Sequence, residues 1–380
     1  MYRIPFNQPF IVGKELYYIS QSVLSGKIAG DGLFTKKCEK FLESRYGTDR
    51  ILLTHSCTAA LEMAAILCNI GPGDEVIMPS FTFVSTANAF YLRSAKIVFV
   101  DIRKDTLNMD EAKLEDAITP RTKVVVPVHY AGVACEMDTI MAIAQAHNLI
   151  VVEDAAQGLD AKYKNQYLGT IGDIGAYSFH ETKNVISGEG GAISLNSKKF
   201  VDRAEIIREK GTDRSKFFRG EIDKYTWVDI GSSYLPSDIV AAFLFAQLEN
   251  IDQISKKREA LFAYYYKALT PLADNEQLVL PYVSDECLCN NHMFYILLKD
   301  EKRRNALIDH LKSKNILSVF HYIPLHQSPV GKKMGYDDGC LPVTESVSRR
   351  LLRLPFYFGL TRKEQDFVVD EINTYFLCNS

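Results

Sequence analysis

Short β-branched runs alternate with helical patterns between residue 51 and about residue 200. The strand-like runs include residues 51–54, 75–78, 96–101, 123–129 and 149–154. Several of them are almost continuously apolar, which is typical of strands that are buried on both faces. Strands that alternate with helices usually form a parallel sheet. The alternation therefore predicts a large α/β domain with helices on both faces of a mainly parallel sheet.

The pattern changes beyond Val201. The predicted elements there are helices at about 200–210, 238–257, 304–313 and 363–375 and a strand at 292–298. A polar and aromatic loop occupies residues 213–227. We therefore predict an N-terminal segment and large domain over residues 1–250, followed by a small α+β domain over residues 251–380.

Composition excludes several classes of protein. The chain has 380 residues, 47% of them hydrophobic, which is enough for a substantial core. Its formal net charge of −3 gives no general attraction to nucleic acid or to an anionic membrane. The N-terminus lacks a secretory hydrophobic region, and no stretch approaches ~20 uninterrupted apolar residues. We expect a cytoplasmic protein with neither nucleic acid nor membrane as a partner.

The eight cysteines are scattered, and only Cys287 and Cys289 lie close together. The spacing favours reduced thiols in a reducing compartment, and a metal-binding pair is the alternative.

Lys183 follows the apolar run 174–179, and Asp154 ends an upstream strand-like run. An amine held at the end of a strand can form a Schiff base with a carbonyl, and a carboxylate can keep a pyridine nitrogen protonated. This division of roles is typical of pyridoxal phosphate (PLP) chemistry. Taken alone, Asp154 fits a helix cap equally well.

Ser56, Cys57 and Thr58 lie between a short strand and a long helical pattern. Hydroxyls and free N–H groups at a helix N-terminus can bind an anion such as phosphate. The alternative is an ordinary helix cap. In parallel sheets ligands collect at the carboxyl ends of the strands, which is where Asp154 and Lys183 are also predicted.

Three further side chains are candidates for the same site. Gln157 is placed to donate a hydrogen bond to a ring oxygen, Ser178 offers a hydroxyl to a phosphate, and Phe83 either fills the core or stacks on a ring. The run 187–191 superficially suggests a phosphate loop. It lacks Gly-Lys-Ser/Thr and does not open a helix, which excludes a nucleoside triphosphatase.

His321, Tyr322 and His326 surround a proline in the C-terminal domain. They either pack within that domain or form a wall of the substrate pocket. No carboxylate or further histidine stands at helical spacing, so we predict no metal site.

The order of these motifs resembles the DegT/DnrJ/EryC/StrS sugar aminotransferases. They are Ser-x-Thr at 56–58, Thr-Phe-Val-Ser-Thr at 82–86, Glu-Asp-Ala-Ala-Gln at 153–157, Ser-Phe-His-x-x-Lys-Asn at 178–184 and Gly-Glu-Gly-Gly-Ala at 188–192. The family consists of PLP enzymes with the aspartate aminotransferase fold (fold type I). The resemblance extends from about residue 6 to the last helix.

The resemblance implies a role for each matching residue. Lys183 would carry the cofactor as a Schiff base and then move a proton between cofactor and sugar. Asp154 would pair with the pyridine nitrogen, Gln157 would contact the ring where many relatives have histidine, and Phe83 would stack on it. The phosphate would be held by Cys57, which replaces a common glycine, and by Thr58 and Ser178.

The family also implies a homodimer with shared active sites. Residues 231–234 match the place where relatives carry Gly-x-Asn-Tyr-Arg and reach the partner's cofactor phosphate. Ser233 replaces the usual asparagine, which leaves a hydroxyl as the candidate contact.

Within the family, the resemblance is most specific at residues 25–27, 30–32, 128–138, 223–227 and 320–326. They imply transfer of an amino group from L-glutamate to carbon 4 of dTDP-4-keto-6-deoxyglucose, as in the synthesis of enterobacterial common antigen. The product would be dTDP-4-amino-4,6-dideoxygalactose, and the gluco epimer or another nucleotide-linked 4-keto sugar stays open. The rival functions are a sugar dehydratase, which would have histidine in place of Lys183, and a noncatalytic nucleotide-sugar sensor.

Overall fold

The computed structural model describes residues 2–378. The helices are α1 (Glu15–Leu24), α2 (Leu33–Tyr46), α3 (Cys57–Leu67), α4 (Val84–Tyr91), α5 (Met137–Ala146), α6 (Val201–Arg208), α7 (Arg214–Phe218), α8 (Asp238–Leu248), α9 (Ile251–Asp274), α10 (Glu301–Ser313), α11 (Pro329–Lys333), α12 (Pro342–Arg350) and α13 (Arg362–Cys378). The strands are β1 (Arg50–Thr54), β2 (Glu75–Pro79), β3 (Lys96–Val100), β4 (Thr122–Val125), β5 (Ile150–Asp154), β6 (Lys162–Tyr163), β7 (Gln166–Tyr167), β8 (Ile174–Ser178), β9 (Gly191–Leu195), β10 (Cys287–Leu288), β11 (Tyr295–Leu297) and β12 (Leu351–Arg353).

A seven-stranded sheet with the order β1-β9-β8-β5-β4-β2-β3 forms the centre of the large domain. Strands β8, β5, β4, β2 and β3 pair in parallel. Strand β9 is antiparallel to both of its neighbours, β1 and β8. The sheet is therefore mainly parallel, as the alternating pattern predicts. Two small sheets accompany it, β10-β6-β7 and β11-β12.

Helices cover both faces of this sheet. Along β1, Leu52 packs in one core cluster with α3, whereas Ile51 and Leu53 pack in another with α2 and α8. Successive strand residues point to opposite faces, so continuous apolar sequence is what a sheet covered on both sides requires. The predicted burial of both faces is confirmed.

A separate hydrophobic cluster joins α9, α10 and α13 to the antiparallel pair β11 and β12. Ile4 belongs to this cluster and bridges Ile316, so the N-terminal segment lies against the C-terminal part of the chain. Within α9, Ile254 packs in the large-domain core and Leu261 in the C-terminal one. The helix thus connects the two cores, and the boundary at residue 250 stays a prediction.

The single helix predicted over 238–257 is two helices in the structure. The side-chain amide of Asn250 donates to the Ala246 carbonyl at 2.8 Å. That carbonyl is the one that the Asn250 backbone N–H would use if the helix continued, so α8 ends at Leu248 and α9 begins at Ile251. The strand predicted over 292–298 is also shorter, at Tyr295–Leu297.

Within residues 2–378, every helix is either too short or too polar to cross a membrane.

Candidate active site

A cavity of about 620 Å³ opens at the carboxyl ends of the central strands. Its walls follow the ends of β1, β2, β5 and β8, and residues of the C-terminal domain close it. The cavity has the location expected for a ligand site in a parallel sheet. The predicted residues that line it are Ser56, Cys57, Thr58, Phe83, Asp154, Gln157, Ser178, Lys183, His321 and Tyr322.

The N-terminus of α3 faces this cavity. The Ser56 hydroxyl accepts a hydrogen bond from the Ala59 backbone N–H at 3.1 Å, so the helix cap is present. Among residues 2–378, the backbone N–H groups of Cys57 and Thr58 make no hydrogen bond. Burial raises the pKa of the Cys57 thiol well above its usual value, which keeps it neutral. The first turn of α3 can therefore carry both the Ser56 helix cap and an anion site.

Asp154 is buried at the end of β5. Its carboxylate accepts hydrogen bonds from the Thr86 hydroxyl at 2.6 Å and from the Ala156 N–H at 3.1 Å. Thr82 lies 2.8 Å from Thr86, which extends the hydroxyl chain. Each carboxylate oxygen keeps a further lone pair for a ligand. The sequence analysis included Thr86 in the motif at 82–86 but gave it no role at the site.

Lys183 lies in the loop after β8 and lines the cavity. Its amine makes neither a hydrogen bond nor an ion pair with any of residues 2–378. Burial lowers the pKa of Lys183, and the charge of Arg353 lowers it further, against the opposing effects of Cys57 and Asp154. A lowered pKa makes the neutral, nucleophilic amine more available.

Gln157 is held in one orientation. Its side-chain oxygen accepts from the Ala131 N–H at 2.7 Å, and its amide nitrogen donates to the Tyr322 hydroxyl at 3.1 Å. Burial raises the pKa of Tyr322, so its hydroxyl stays protonated. The pair links the large domain to the 320–326 loop across the cavity.

His321 faces the cavity, with Nδ1 3.0 Å from the Tyr130 hydroxyl. Burial lowers the pKa of His321 well below its usual value, with further contributions from the charges of Arg353 and Lys183. Its imidazole is therefore neutral at pH 7. A neutral imidazole can donate one hydrogen bond and accept another, and it adds no charge to the cavity wall.

His292 and Arg353 also line the cavity, and the sequence analysis did not include them. Nδ1 of His292 lies 2.9 Å from the side-chain oxygen of Asn184. Because the Asn184 amide nitrogen donates to the Asn290 carbonyl, that oxygen is an acceptor and Nδ1 carries the proton. Arg353 comes from β12, where a charged residue interrupts an apolar run. This charged residue in an apolar run was the sequence signal that could have identified Arg353 as a site residue.

The structure corrects the prediction for His326. Its side chain is fully buried, with Nδ1 2.7 Å from the Ser80 hydroxyl and Nε2 3.2 Å from Glu345. The short helical turn Leu325–Gln327 directs the ring toward α12 and away from the cavity. His326 therefore packs the domain and does not form a substrate wall.

Ser233 also lies outside the cavity of its own chain. It is exposed, and its backbone bridges Glu209. The neighbouring Tyr234 is buried, stacks on His55 at 6.1 Å and places its hydroxyl 3.5 Å from Glu62. Tyr234 thus has a packing role in its own chain, and only Ser233 is left as a surface contact.

All eight cysteines are free thiols. Cys287 accepts a hydrogen bond from the Ala134 N–H at 3.3 Å, and Cys289 lies 3.7 Å from the Ala131 carbonyl. Among residues 2–378, no cluster of three or more histidine, cysteine or acidic side chains is arranged to hold a metal ion.

The residues present fit the predicted cofactor. The unbonded N–H groups at the start of α3 suit a phosphate, Asp154 offers a carboxylate to a ring nitrogen, and the unpaired amine of Lys183 suits an aldehyde. All three lie on one cavity of a size usual for a small-molecule site.

Comparison with known proteins gives one family. The model of the DegT/DnrJ/EryC1/StrS aminotransferase family matches residues 10–373. The spore coat polysaccharide biosynthesis protein SpsC of Bacillus subtilis is 35% identical over 97% of this chain and 96% of its own. The GDP-perosamine synthase of Caulobacter vibrioides is 33% identical over 97% of this chain and 96% of its own.

Solved structures of similar proteins superpose on this chain over nearly its whole length. A putative sugar aminotransferase of Streptococcus pneumoniae, Spr1654 in its PLP form, superposes with a TM-score of 0.90 at 27% identity, covering 98% of both chains. DesV of S. venezuelae in complex with a ketimine intermediate has a TM-score of 0.90 at 30% identity, covering 99% of both chains. The predicted fold, PLP-dependent transferase fold type I, is confirmed.

Proposed function

The chain belongs to the DegT/DnrJ/EryC1/StrS aminotransferase family, and we propose that it transfers the amino group of L-glutamate to carbon 4 of dTDP-4-keto-6-deoxy-D-glucose. The products would be 2-oxoglutarate and dTDP-4-amino-4,6-dideoxy-D-galactose. The protein is a sugar aminotransferase with pyridoxal 5'-phosphate as its cofactor. The acceptor sugar and the configuration of the new amine are the proposed part.

The observation that supports amino transfer is the unpaired amine of Lys183 in one cavity with the carboxylate of Asp154. A sugar dehydratase of the same fold would have histidine in place of Lys183, so the lysine favours amino transfer. A noncatalytic sensor would have no use for a buried amine with a lowered pKa.

We assign the cofactor contacts as follows. Lys183 would hold the cofactor's aldehyde carbon, Asp154 its ring nitrogen and Gln157 its ring substituents, with Phe83 over the ring. The phosphate would bind at Ser56, Cys57, Thr58 and Ser178. When bound, the cofactor supplies an electron sink for the carbon that loses a proton.

Lys183 would also move the proton. Its lowered pKa lets the released amine take a proton from the donor's α-carbon and return one to the sugar carbon. Asp154 would keep the ring nitrogen protonated, and Thr86 would hold the carboxylate in place. The neutral imidazoles of His292 and His321 would bound the reacting atoms without adding charge.

Two observations support a nucleotide-linked sugar as the acceptor. The stretches 25–27, 30–32, 128–138, 223–227 and 320–326 imply the dTDP sugar, and one relative is named for a GDP-linked sugar. Purified enzyme should be incubated with L-glutamate and several nucleotide-linked 4-keto sugars, and the product analysed by NMR. We expect the dTDP sugar to react fastest and the amine to be axial, as in the galacto product. An equatorial amine would establish the gluco epimer, and preference for another nucleotide would replace the proposed acceptor.

An absorbance spectrum of the cofactor distinguishes an aminotransferase from a noncatalytic sensor. The cofactor absorbance of the purified enzyme should shift on addition of L-glutamate alone, because the first half of the reaction needs no sugar. A spectrum that stays unchanged with glutamate and with other amino donors would favour the sensor.

We also propose a homodimer with shared active sites. Ser233 is exposed outside its own cavity, and Trp227 in the preceding loop is 79% exposed. Phe83 at the cavity is 58% exposed as well. Large exposed aromatic groups fit a surface that a second copy covers.

We also propose that the domains divide between residues 250 and 251. We further propose that the protein is cytoplasmic and binds neither nucleic acid nor membranes.

A further inference from the structure

Three buried side chains, Ser80, His326 and Glu345, are linked by hydrogen bonds. Nδ1 of His326 lies 2.7 Å from the Ser80 hydroxyl, and Nε2 lies 3.2 Å from the Glu345 carboxylate. The residues lie in the order of the serine–histidine–acid triad of hydrolases. Ser80 and His326 are completely buried, however, so a substrate carbonyl cannot reach the hydroxyl. These hydrogen bonds therefore act within the protein.

The hydrogen bonds select one tautomer of His326. An ionised carboxylate only accepts hydrogen bonds, so the ring donates to Glu345 through Nε2. The Ser80 oxygen accepts the backbone N–H of His326 at 3.0 Å. Among residues 2–378, Nδ1 is the one acceptor within reach of the Ser80 hydrogen. The serine therefore donates to Nδ1, and both ring nitrogens have a partner.

Ser80 and His326 belong to two loops that line the active-site cavity. Ser80 directly follows β2 and precedes Phe83 by three residues, and His326 follows Tyr322 by four. Phe83 and Tyr322 both line the cavity, with ring centroids 6.3 Å apart. The Leu325 N–H also donates to the Ser80 carbonyl at 3.1 Å. The two loops are thus joined at a point close to both rings.

Helix α12 holds the other side of His326. Asp101, directly after β3, accepts hydrogen bonds from the N–H of Thr344 at 2.8 Å and from its hydroxyl at 2.7 Å. Glu345 is the next residue of the helix and accepts the Nε2–H of His326. The large domain therefore fixes His326 from two directions, directly through Ser80 and indirectly through the first turn of α12.

We propose that His326 is a positioning residue for the 4-keto sugar. Through Ser80, it sets the separation of the Phe83 and Tyr322 rings in the cavity. The inference rests on the proposed function, in which carbon 4 of the sugar must meet the cofactor. A sugar ring is rigid, so a displaced cavity wall moves carbon 4 with it, and a misplacement of about 1 Å can cost ~100-fold in rate. The amino donor rotates about single bonds and adapts more easily.

Two substitutions of His326 separate its two hydrogen bonds. Asparagine keeps an acceptor near the position of Nδ1 and loses the donor to Glu345. Glutamine keeps a donor near the position of Nε2 and loses the acceptor for Ser80. A purely structural role predicts similar effects, because each variant loses one buried hydrogen bond. A positioning role through Ser80 predicts that only glutamine displaces the sugar.

Single-turnover kinetics of purified holoenzyme measure the two half-reactions. In His326→Gln and Ser80→Ala, the reaction of the aminated enzyme with the 4-keto sugar should lose at least about 30-fold in kcat/KM. Conversion by L-glutamate should lose less than about fivefold, and His326→Asn should stay within about fivefold in both half-reactions. Ser318→Ala is the matched control and should alter neither, because its buried hydroxyl makes no hydrogen bond within residues 2–378.

Cofactor affinity provides a readout that needs no turnover. Phe83 is assigned to the cofactor ring, so titration of the apoenzymes with PLP should give a Kd at least about fivefold higher for His326→Gln and Ser80→Ala than for His326→Asn. The urea midpoints of the two His326 variants should fall by similar amounts, since each variant leaves one buried polar group with one bond fewer.

Equal sugar kinetics of His326→Asn and His326→Gln would overturn the proposal. So would a loss with glutamate as large as the loss with the sugar, or activity losses that follow the loss of stability from variant to variant. Wild-type enzyme that aminates no 4-keto sugar would instead contradict the proposed function. In that case the PLP affinities alone would show whether Ser80 and His326 position Phe83, and equal affinities would overturn that role.

Discussion

At the scale of single residues, burial sets the protonation of the groups that line the cavity. It lowers the pKa values of Lys183, His292 and His321, and the charge of Arg353 lowers all three further. Asp154 is held by two hydrogen-bond donors in the same space. The arrangement makes the nucleophilic, neutral form of the amine more available and provides a carboxylate for a protonated ring within one cavity.

Lys183→Ala should abolish amino transfer. No other amine lines the cavity described by residues 2–378, so the cofactor would lose its covalent attachment and the reaction its proton carrier. The fold should persist because the lysine side chain makes no hydrogen bond or ion pair there. Turnover and circular dichroism check the two statements, and more than a small fraction of wild-type turnover would exclude Lys183 from this role.

Asp154→Asn should reduce turnover by at least about 100-fold, equivalent to ~3 kcal/mol of transition-state stabilisation, because an amide does not keep the ring nitrogen protonated. Thr86→Val is the graded comparison. It removes one hydrogen bond to the carboxylate at constant size, and about a tenfold loss is expected. For both variants, the cofactor content must be measured by absorbance, so that turnover is compared between cofactor-loaded enzymes. Near-normal turnover of cofactor-loaded Asp154→Asn would leave Asp154 only a capping role.

At the scale of elements, the site depends on how closely the start of α3 approaches β9. A Cβ added at Gly191 would lie 2.3 Å from the carbonyl carbon of Ser56 and 2.4 Å from the nitrogen of Cys57. Backbone atoms cannot yield as a flexible side chain does. Glycine at this position thus allows the helix N-terminus to face the cavity beside the sheet.

Gly191→Ala should therefore lower the free energy of unfolding by about 3 kcal/mol or more, because α3 and β9 must separate. Cofactor affinity should fall with it, since the N–H groups of Cys57 and Thr58 would move. Gly71→Ala is the matched control. Its nearest neighbour is the Asp74 carboxylate at 3.9 Å, so a change within about 0.5 kcal/mol is expected. Chemical denaturation measures both, and equal stabilities would refute the close-packing argument.

At the scale of the whole molecule, Ser233 is exposed in a single chain, although it is predicted to contact a cofactor phosphate. Ser233 lies on the surface, whereas its neighbour Tyr234 is committed to its own chain. A shared site predicts that damage at Ser233 acts on the partner's cavity. A bulky change at Ser233 is therefore the appropriate probe, and Tyr234 must be left intact.

Mixing Lys183→Ala chains with Ser233→Trp chains should restore activity. One site of each heterodimer then has neither defect, and random pairing of equal amounts gives about a quarter of wild-type activity. The matched control mixes Lys183→Ala with Asp154→Ala, whose side chains line the same cavity, and should restore nothing. Verified Lys183→Ala/Ser233→Trp heterodimers without recovery would disprove the shared site.

The sequence by itself determined the large-domain sheet and most of the cavity. Residues 56–58, 82–86, 153–157 and 178–184 each follow a strand, and parallel strands bring their carboxyl ends to one edge. Their meeting needed no knowledge of distant packing. Local motifs at strand ends were therefore sufficient to predict Lys183 and Asp154 in one site.

The tertiary structure alone decided what the C-terminal domain contributes. Arg353 and His292 enter the cavity and His326 turns away from it, and these outcomes depend on how that domain docks on the sheet. The break after α8 likewise depends on the Asn250 side chain finding the Ala246 carbonyl. Contacts between residues far apart in the chain follow from packing of whole elements, and local sequence patterns carry no record of that packing.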